Sequence, residues 1–481
     1  MIAGFSRNIK PVEILTDEAL AAIQKGTLEV LETTGVTFEH DKTLQLFADH
    51  KCPVDFDKKR VRIPAEVVEY CLQKTPPSFN LKARNPKHNF KIGEGTFYFS
   101  NSMGMSTVDL DSWKPRTPTW DENVNAVKIL DSLDTVHYIA PYTPYMEIEG
   151  IPASMVMLEG MANKLRLSDK VIASAYQMDS EIFAIKMAKT AGTELVGSVS
   201  VSPPMTYGES ACKVIYRWIE AGFPLDIGSG AVMGGTGPAT IAGSTITNNV
   251  ECIAGIVLAQ IIKPGTPLMV ADFVHPMDMR WGHPAFGAVE CALHEAIFSQ
   301  FFRKYSIPIH HWYGFGSSKK IDFQSGYERA MLALLTAMSG TDVVELHGAI
   351  YGELTWHPIQ AVIDEDVANW VGRFMGGVNV SDETLAIDLI KEVGPIPGFY
   401  LEQEHTRKWW RQEQFIPKVA DREAYQEWLR KGKQDTIALA QARLEEIIAK
   451  YEPKPLSPEQ DREIDNILEE ARRYYTDKGL M

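Results

Sequence analysis

The sequence predicts an α/β protein, a (β/α)8 barrel carrying an N-terminal α+β extension and C-terminal helices. Three observations lead there. Strand-like segments alternate with helical ones through one unbroken run of about 210 residues, at roughly 30 residues per unit. The loops that follow the strands are the Pro-, Gly-, Tyr- and Met-rich parts of the chain, as expected where an α/β protein keeps its chemistry. No other repeat and no low-complexity tract interrupts the alternation.

The elements follow from local pattern. Thr16–Gly35 reads as a helix, with Leu20, Ile23, Leu28 and Leu31 at near-helical spacing and Asp17 and Glu18 in its first turn. Short extended pieces come next, at Arg60–Ile63, Ser78–Lys82 and Thr96–Ser100. After Trp120 helix and strand alternate. The predicted helices are Asp121–Ser132, Pro152–Leu167, Asp179–Ala191, Gly208–Ala221, Pro238–Ile262, Ala285–Tyr305 and Ser325–Ser339. Each is followed by an extended segment: Val136–Pro141, Val171–Ala175, Leu195–Val201, Pro224–Gly228, Pro267–Phe273, Ile307–Tyr313 and Asp342–His347. The pattern leaves the eighth strand ambiguous, and Pro395–Leu401 is assigned to it. Asp421–Lys450 and Pro458–Lys478 read as two charged helices outside the barrel, joined by a proline-containing linker. The expected division is thus 1–120 as a region covering the barrel, 121–420 as the catalytic barrel and 421–481 as a helical extension.

Bulk composition excludes some functions. Forty-eight basic against 63 acidic residues give a net charge of −15, which argues against nucleic-acid or anionic-membrane binding. The five dispersed cysteines form no C-x-x-C pair and are expected as reduced thiols. The N-terminus has no continuous apolar h-region. The longest apolar segment, Val250–Ile262, is interrupted by Glu251 and Gln260 and is too short to span a bilayer. A cytoplasmic protein is expected.

The most informative stretch is Ser306–Gly326, where His310, His311, Trp312, Tyr313 and Phe315 crowd the end of a strand. A wall of π faces suits a cation that cannot donate a hydrogen bond; the plain alternative is a buried strand end. His310 and His311 are adjacent and must point to opposite faces, so at most one enters the barrel mouth. His347, Tyr351, Glu353 and Trp356 follow the next strand, and His347 sits where barrel enzymes place polar catalytic residues. Phe97, Phe99 and Asn101 share one face of an extended segment by alternation. Gly228–Gly237 holds five glycines but no P-loop lysine, which favours a tight loop open to a large partner. His275, His283 and His294 match no metal-ligand spacing, and no metal is expected. No Ser-His-Asp or Cys-His arrangement is legible.

Four blocks in one order carry a resemblance: Ile241–Leu268, Gly316–Val344, Val380–Gly394 and Ala420–Trp428. Together with the opening AGF and the LTDEALAAI helix, they make the chain resemble the trimethylamine methyltransferase family nearly end to end. That resemblance implies a (β/α)8 barrel passing a methyl group from a methylated amine to Co(I) of a separate corrinoid protein. It further implies that no cofactor is tightly bound, the corrinoid (Co(I) or methylcobalamin) being supplied by that cognate partner, and that the chain is a homo-oligomer. Trimethylamine enzymes of the family carry pyrrolysine just before an SDAK-type turn. Aligned without gaps on Lys319, Asp322, Gln324 and Gly326, that position here is Phe315. A chain without pyrrolysine is expected to use a quaternary amine, whose leaving group is already a neutral tertiary amine. Glycine betaine, giving dimethylglycine, is the expected substrate, with carnitine or proline betaine as other members of the class. A betaine-binding barrel without catalysis is the alternative from another class. The resemblance assigns Phe97, Phe99, Trp312, Phe315 and Trp356 to the aromatic cage. It assigns His347 the catalytic task of holding the substrate carboxylate, aided by His311 or Tyr313, and turns Gly234, Gly235 and Gly237 toward the corrinoid.

Overall fold

In the computed structural model, which describes residues 4–142, 144–312 and 314–481, eight parallel strands close into a barrel. They are β1 (Thr96–Asn101), β2 (Tyr138–Ile139), β3 (Val171–Ser174), β4 (Leu195–Ser200), β5 (Leu225–Ser229), β6 (Leu268–Asp272), β7 (Ile309–His311) and β8 (Val343–His347). β8 returns to β1 through Val343↔Tyr98, Val344↔Phe99 and Glu345↔Ser100, with a register shift between Glu345 and His347. Every residue of β5, β6 and β8 is buried. Parallel strands are covered on both faces, so their side chains read as apolar runs without a visible inner and outer side.

Seven of the strands are those predicted from the alternation. The eighth is not Pro395–Leu401, which is turn and coil outside the barrel, but Thr96–Asn101. A closed sheet is cyclic, so the missing strand could lie at either end of the run. The barrel therefore opens inside the segment assigned to the N-terminal extension.

The enclosing helices are α1 (Trp120–Ser132), α2 (Ala153–Leu167), α3 (Ser180–Ala191), α4 (Glu209–Ala221), α5 (Ile241–Ile262), α6 (Val289–Arg303), α7 (Phe323–Ser339) and α8 (Pro358–Met375). Their ends carry the expected signals. Thr119 and Glu122 form a capping box on α1, Thr240 and Asp322 cap α5 and α7, and α3, α4 and α7 stop at glycines with positive φ. α5 is long and apolar enough to cross a bilayer, yet 89% of its most apolar window is buried inside the protein. Helices Asp17–Thr33 and Ala65–Lys74 of the N-terminal region pack along it. The helices of this region flank the barrel, while its segment after β1 pairs with the loops of the mouth through Gly104↔Tyr145 and Ser106↔Thr355. Its hairpin Phe79–Leu81/Phe90–Ile92 plugs the opposite end, where Phe79, Leu81 and Ile92 meet Tyr98, Tyr138, Val196 and Met269. Thr436–Lys450 lies against α1 and α8, and Pro458–Asp477 lies against α2 and α3.

The barrel interior is layered. The lower layer is apolar (Tyr98, Tyr138, Val171, Val196, Met269 and Val343). Asp226 of β5, His310 of β7 and, two residues beyond Val343, Glu345 of β8 add buried polar groups to this interior. Above these groups the barrel opens into its mouth.

Candidate functional site

A cavity of 170 Å³ opens at the C-terminal ends of the strands. Tyr142, Phe273, Trp312 and Phe315 supply rings to its wall, and Glu345 and Glu353 supply its only ionisable side chains other than the Tyr142 phenol among the described lining residues. The volume is well below the roughly 300–1,000 Å³ of drug-sized pockets, which limits the occupant to a small headgroup. Phe273 stands edge-on to Phe315, with centroids 5.5 Å apart at 78°, and lies 6.4 Å from Trp312 at 60°.

Each ring is held by an identifiable contact. Trp312 follows β7 by one residue and shares the inner side with His310. Its Nε1–H donates to Asp226 Oδ2 at 3.2 Å, and His310 Nδ1 lies 2.9 Å from the same oxygen. The indole lies against Gly228, where a Cβ would fall inside the ring's van der Waals surface; a Cβ at Gly230 would meet Phe273 in the same way. These glycines of the Gly228–Gly237 stretch therefore make room for the aromatic wall. Gly228→Ala is expected to displace the indole and reduce ligand binding about tenfold or more, with at most a few degrees of change in melting temperature. Ligand titration and thermal unfolding of the variant would check this.

Behind the wall, Lys164 of α2 is fully enclosed. Its Nζ donates to the carbonyls of Ala140, Pro141, Tyr142 and Ala173 at 3.1–3.4 Å. Burial pulls this ammonium down to about 7. It ties down the backbone of the segment that presents Tyr142 and points its charge at carbonyl oxygens. On β8, burial pushes the Glu345 carboxyl up to about 8; Ser102 and Arg329 act downward, Glu353 and Asp226 upward. Burial also raises Glu353.

Other residues expected at the site lie elsewhere. Phe97 and Phe99 point outward from β1 into the layer formed by Ala333, Ala337, Ala368 and Val371 of α7 and α8. Of the two faces that alternation allows, the one carrying these rings is the outer one. His347 also faces outward, because the register shift after Glu345 turns it over. Its Nε2 lies 2.8 Å from Thr135 Oγ1 and its Nδ1 3.1 Å from the carbonyl of Ser100. Burial lowers it to about 3, so it is a neutral structural histidine. His311 is the outward member of its pair, with Nε2 2.8 Å from Ser299 Oγ, and burial lowers it likewise to about 3. Trp356 sits in the hairpin Ala349–Ile350/Thr355–Trp356, donating Nε1–H to the His347 carbonyl at 3.0 Å and packing against Tyr145. None of these five lines the cavity. Tyr313 lies outside the described residues. Gly234, Gly235 and Gly237 form a turn on the rim, closed by Gly234 N–H donating to the Gly237 carbonyl at 3.0 Å, with Gly234 at φ +88°.

Sequence reasoning passed over Tyr142, Phe273 and Glu345 and did not place Glu353 in the site. The missed signal at Glu345 is a single carboxylate among the apolar residues Val343, Val344 and Leu346 of its strand. Among the described residues no group of three or more His, Cys, Asp or Glu side chains is placed to hold a metal ion.

The chain has relatives of known name. The family model described as trimethylamine methyltransferase (MTTB) matches residues 2–474. A glycine betaine methyltransferase of Desulfitobacterium hafniense (strain Y51) is 31% identical over 464 residues, 94% of this chain and 95% of that protein. A trimethylamine methyltransferase MttB of Desulfitobacterium hafniense (strain DSM 10664 / DCB-2) is 28% identical over 482 residues, 98% and 95% of the two chains. The crystal structure of the Methanosarcina barkeri monomethylamine methyltransferase (MtmB) superposes with a TM-score of 0.53 at 13% identity, covering 97% of this chain and 93% of that one. At that identity the superposition speaks for the shared barrel alone. The protein is a methyltransferase, and its chain belongs to the trimethylamine methyltransferase (MTTB) family.

Proposed function

We propose that the enzyme removes a methyl group from a small quaternary ammonium compound and passes it to Co(I) of a corrinoid held by a separate protein. The observation that carries this reading is the aromatic cavity itself. Tyr142, Phe273, Trp312 and Phe315 surround a space of headgroup size, and no Lys, Arg or His is among its described lining residues. A fixed positive charge is attracted to such faces by roughly 0.5–2 kcal/mol each. Phe315 supports the quaternary class further. It stands where the resemblance places pyrrolysine in trimethylamine enzymes, and a phenyl ring cannot activate a tertiary amine.

The chemistry asks little of the protein's acids and bases. The N–CH3 bond breaks with both electrons remaining on nitrogen, and a neutral tertiary amine leaves, so no proton need be supplied. The rings orient the departing methyl group toward the open mouth and hold water away from it. Co(I) of the corrinoid supplies the electron pair that takes the methyl group. The rim suits a broad partner surface: Gly234 and Gly235 are exposed, and Met279 and Trp281 beside them are 75% and 73% exposed. Glycine betaine enters the proposal through the relative that bears its name, with carnitine and proline betaine as members of the same class.

The test is methyl transfer to free cob(I)alamin, followed by loss of Co(I) absorbance. A quaternary compound from a panel of tetramethylammonium, choline, glycine betaine, carnitine and proline betaine is expected to give turnover, and trimethylamine none. Activity on trimethylamine alone would remove the reading. Tight binding of a quaternary compound without any change in Co(I) would point to a non-catalytic binding barrel.

A further inference from the structure

Two carboxyl groups share the cavity with the aromatic rings, and neither has an ion-pair partner among the described residues. Glu345 is 8% exposed, and its Oε1 is buried without a hydrogen-bond partner among the described residues. Glu353, on the loop after β8, lines the same space. The nearest basic groups are committed elsewhere. The Arg329 guanidinium is engaged by Asp364 and by backbone carbonyls, and the Lys164 ammonium by the carbonyls behind Tyr142. The expected carboxylate holders, His347 and His311, lie on the outer side of the barrel.

An ionised carboxylate facing aromatic walls with no partner is expensive to maintain, so in the free enzyme these groups hold protons above the usual carboxylate range. A cation without hydrogen-bond donors entering the cavity reverses that balance: it interacts with the π faces and with one or both carboxylates. A betaine brings its own carboxylate a few bonds from the nitrogen, into a space with two acids and no basic side chain among its described lining residues. Once its ammonium has drawn the protons off those acids, its anion would face like charge. Resting on the quaternary-amine reading, we propose that Glu345 and Glu353 are specificity residues selecting a net cation of the tetramethylammonium or choline type over betaines.

The groups facing Glu345 define the pH behaviour. They are Glu353, Asp226 on β5, Tyr138 on β2, Ser102 beyond β1 and, from behind, Arg329 of α7. Each carboxylate neighbour raises it, so a bound cation favours its ionised form. Cation binding near pH 6.5 is therefore expected to release protons and to tighten as the pH rises to 9.

Calorimetry on the full chain with tetramethylammonium chloride, choline chloride and glycine betaine tests this. Wild type is expected to bind tetramethylammonium at least about tenfold more tightly than glycine betaine. Glu345→Gln and Glu353→Gln should each weaken tetramethylammonium about tenfold while leaving glycine betaine unchanged or tighter. Glu353 is only partly buried, so its variant keeps the test alive should Glu345→Gln unfold. If glycine betaine binds more tightly than tetramethylammonium, and Glu345→Gln weakens it, then Glu345 is a protonated donor to a substrate carboxylate. The selection proposal then falls while the quaternary-amine reading stands. If none of the three compounds binds, the selection proposal falls, and the quaternary-amine reading falls with it only if carnitine and proline betaine also fail to bind.

Discussion

Trp312→Ala is expected to lower kcat/KM for a quaternary ammonium substrate by about 100-fold, equivalent to about 2.7 kcal/mol, with little loss of stability. The indole is the largest ring in the cavity wall, and Trp offers the strongest π face to a cation, worth about 2 kcal/mol or more once water is excluded. Its removal also frees Asp226 Oδ2 of one donor, leaving His310 as the contact at 2.9 Å. A vacated wall admits water, which weakens the remaining contacts by raising the local dielectric. Stability should change little because Trp312 is only partly buried and lies at the rim of the cavity. Trp312→Phe separates the two contributions. It keeps a π face without the N–H, and a loss of about fivefold to tenfold is expected. Steady-state kinetics with free cob(I)alamin and a thermal melt of each variant provide the measurement. Activity of the alanine variant within threefold of wild type would show that the ring does not contact the reacting headgroup.

Arg329→Met is expected to cost about 3–5 kcal/mol of unfolding free energy, the usual result when one partner of a buried ion pair is removed. Arg329 of α7 is 2% exposed. Its Nε donates to Asp364 Oδ1 at 3.1 Å and its Nη2 to Asp364 Oδ2 at 2.5 Å, while Nη1 reaches the Ala349 carbonyl at 3.0 Å. It also donates to the carbonyls of Gly314 and Leu346. Methionine would leave those carbonyls unpaired, and Asp364 would keep only the Gly348 N–H and the Gln360 amide. Because Gly314 precedes Phe315 and Leu346 follows Glu345, the same change should loosen both cavity residues. The folded fraction is expected to bind substrate more weakly. The double variant Arg329→Met/Asp364→Leu should recover part of the lost stability, since a buried pair replaced by apolar groups is often neutral. Urea unfolding of the two single variants and the double closes the cycle. A cost below about 1 kcal/mol for Arg329→Met would show that the guanidinium is not structural.

The legible part of the fold was its periodicity. Seven strands and their helices followed from alternation because each βα unit must bury an apolar strand under an apolar helix face. Thr96–Asn101 escaped because a hairpin, not a helix, leads directly into it, so it resembled a member of the N-terminal sheet. The site was partly legible. Trp312 and Phe315 stood out as rings beyond a strand end, where a core strand has no use for them. Phe97, Phe99, His347, His311 and Trp356 did not separate from them by pattern, since a strand buried on both faces shows no difference between its inner and outer residues. At His347 even the correct parity misleads, because the shift after Glu345 reverses it.

The sequence by itself determined the barrel, the alternation of its units, the end at which its chemistry is housed and the aromatic character of that end. Those properties depend on spacing and composition within single segments. Only the tertiary structure decided which rings converge, that Gly228 and Gly230 exist to admit two of them, and that Glu345 and Glu353 share their cavity. Convergence depends on where closure of the sheet brings residues from separate loops and strands, and that closure is a property of no single segment.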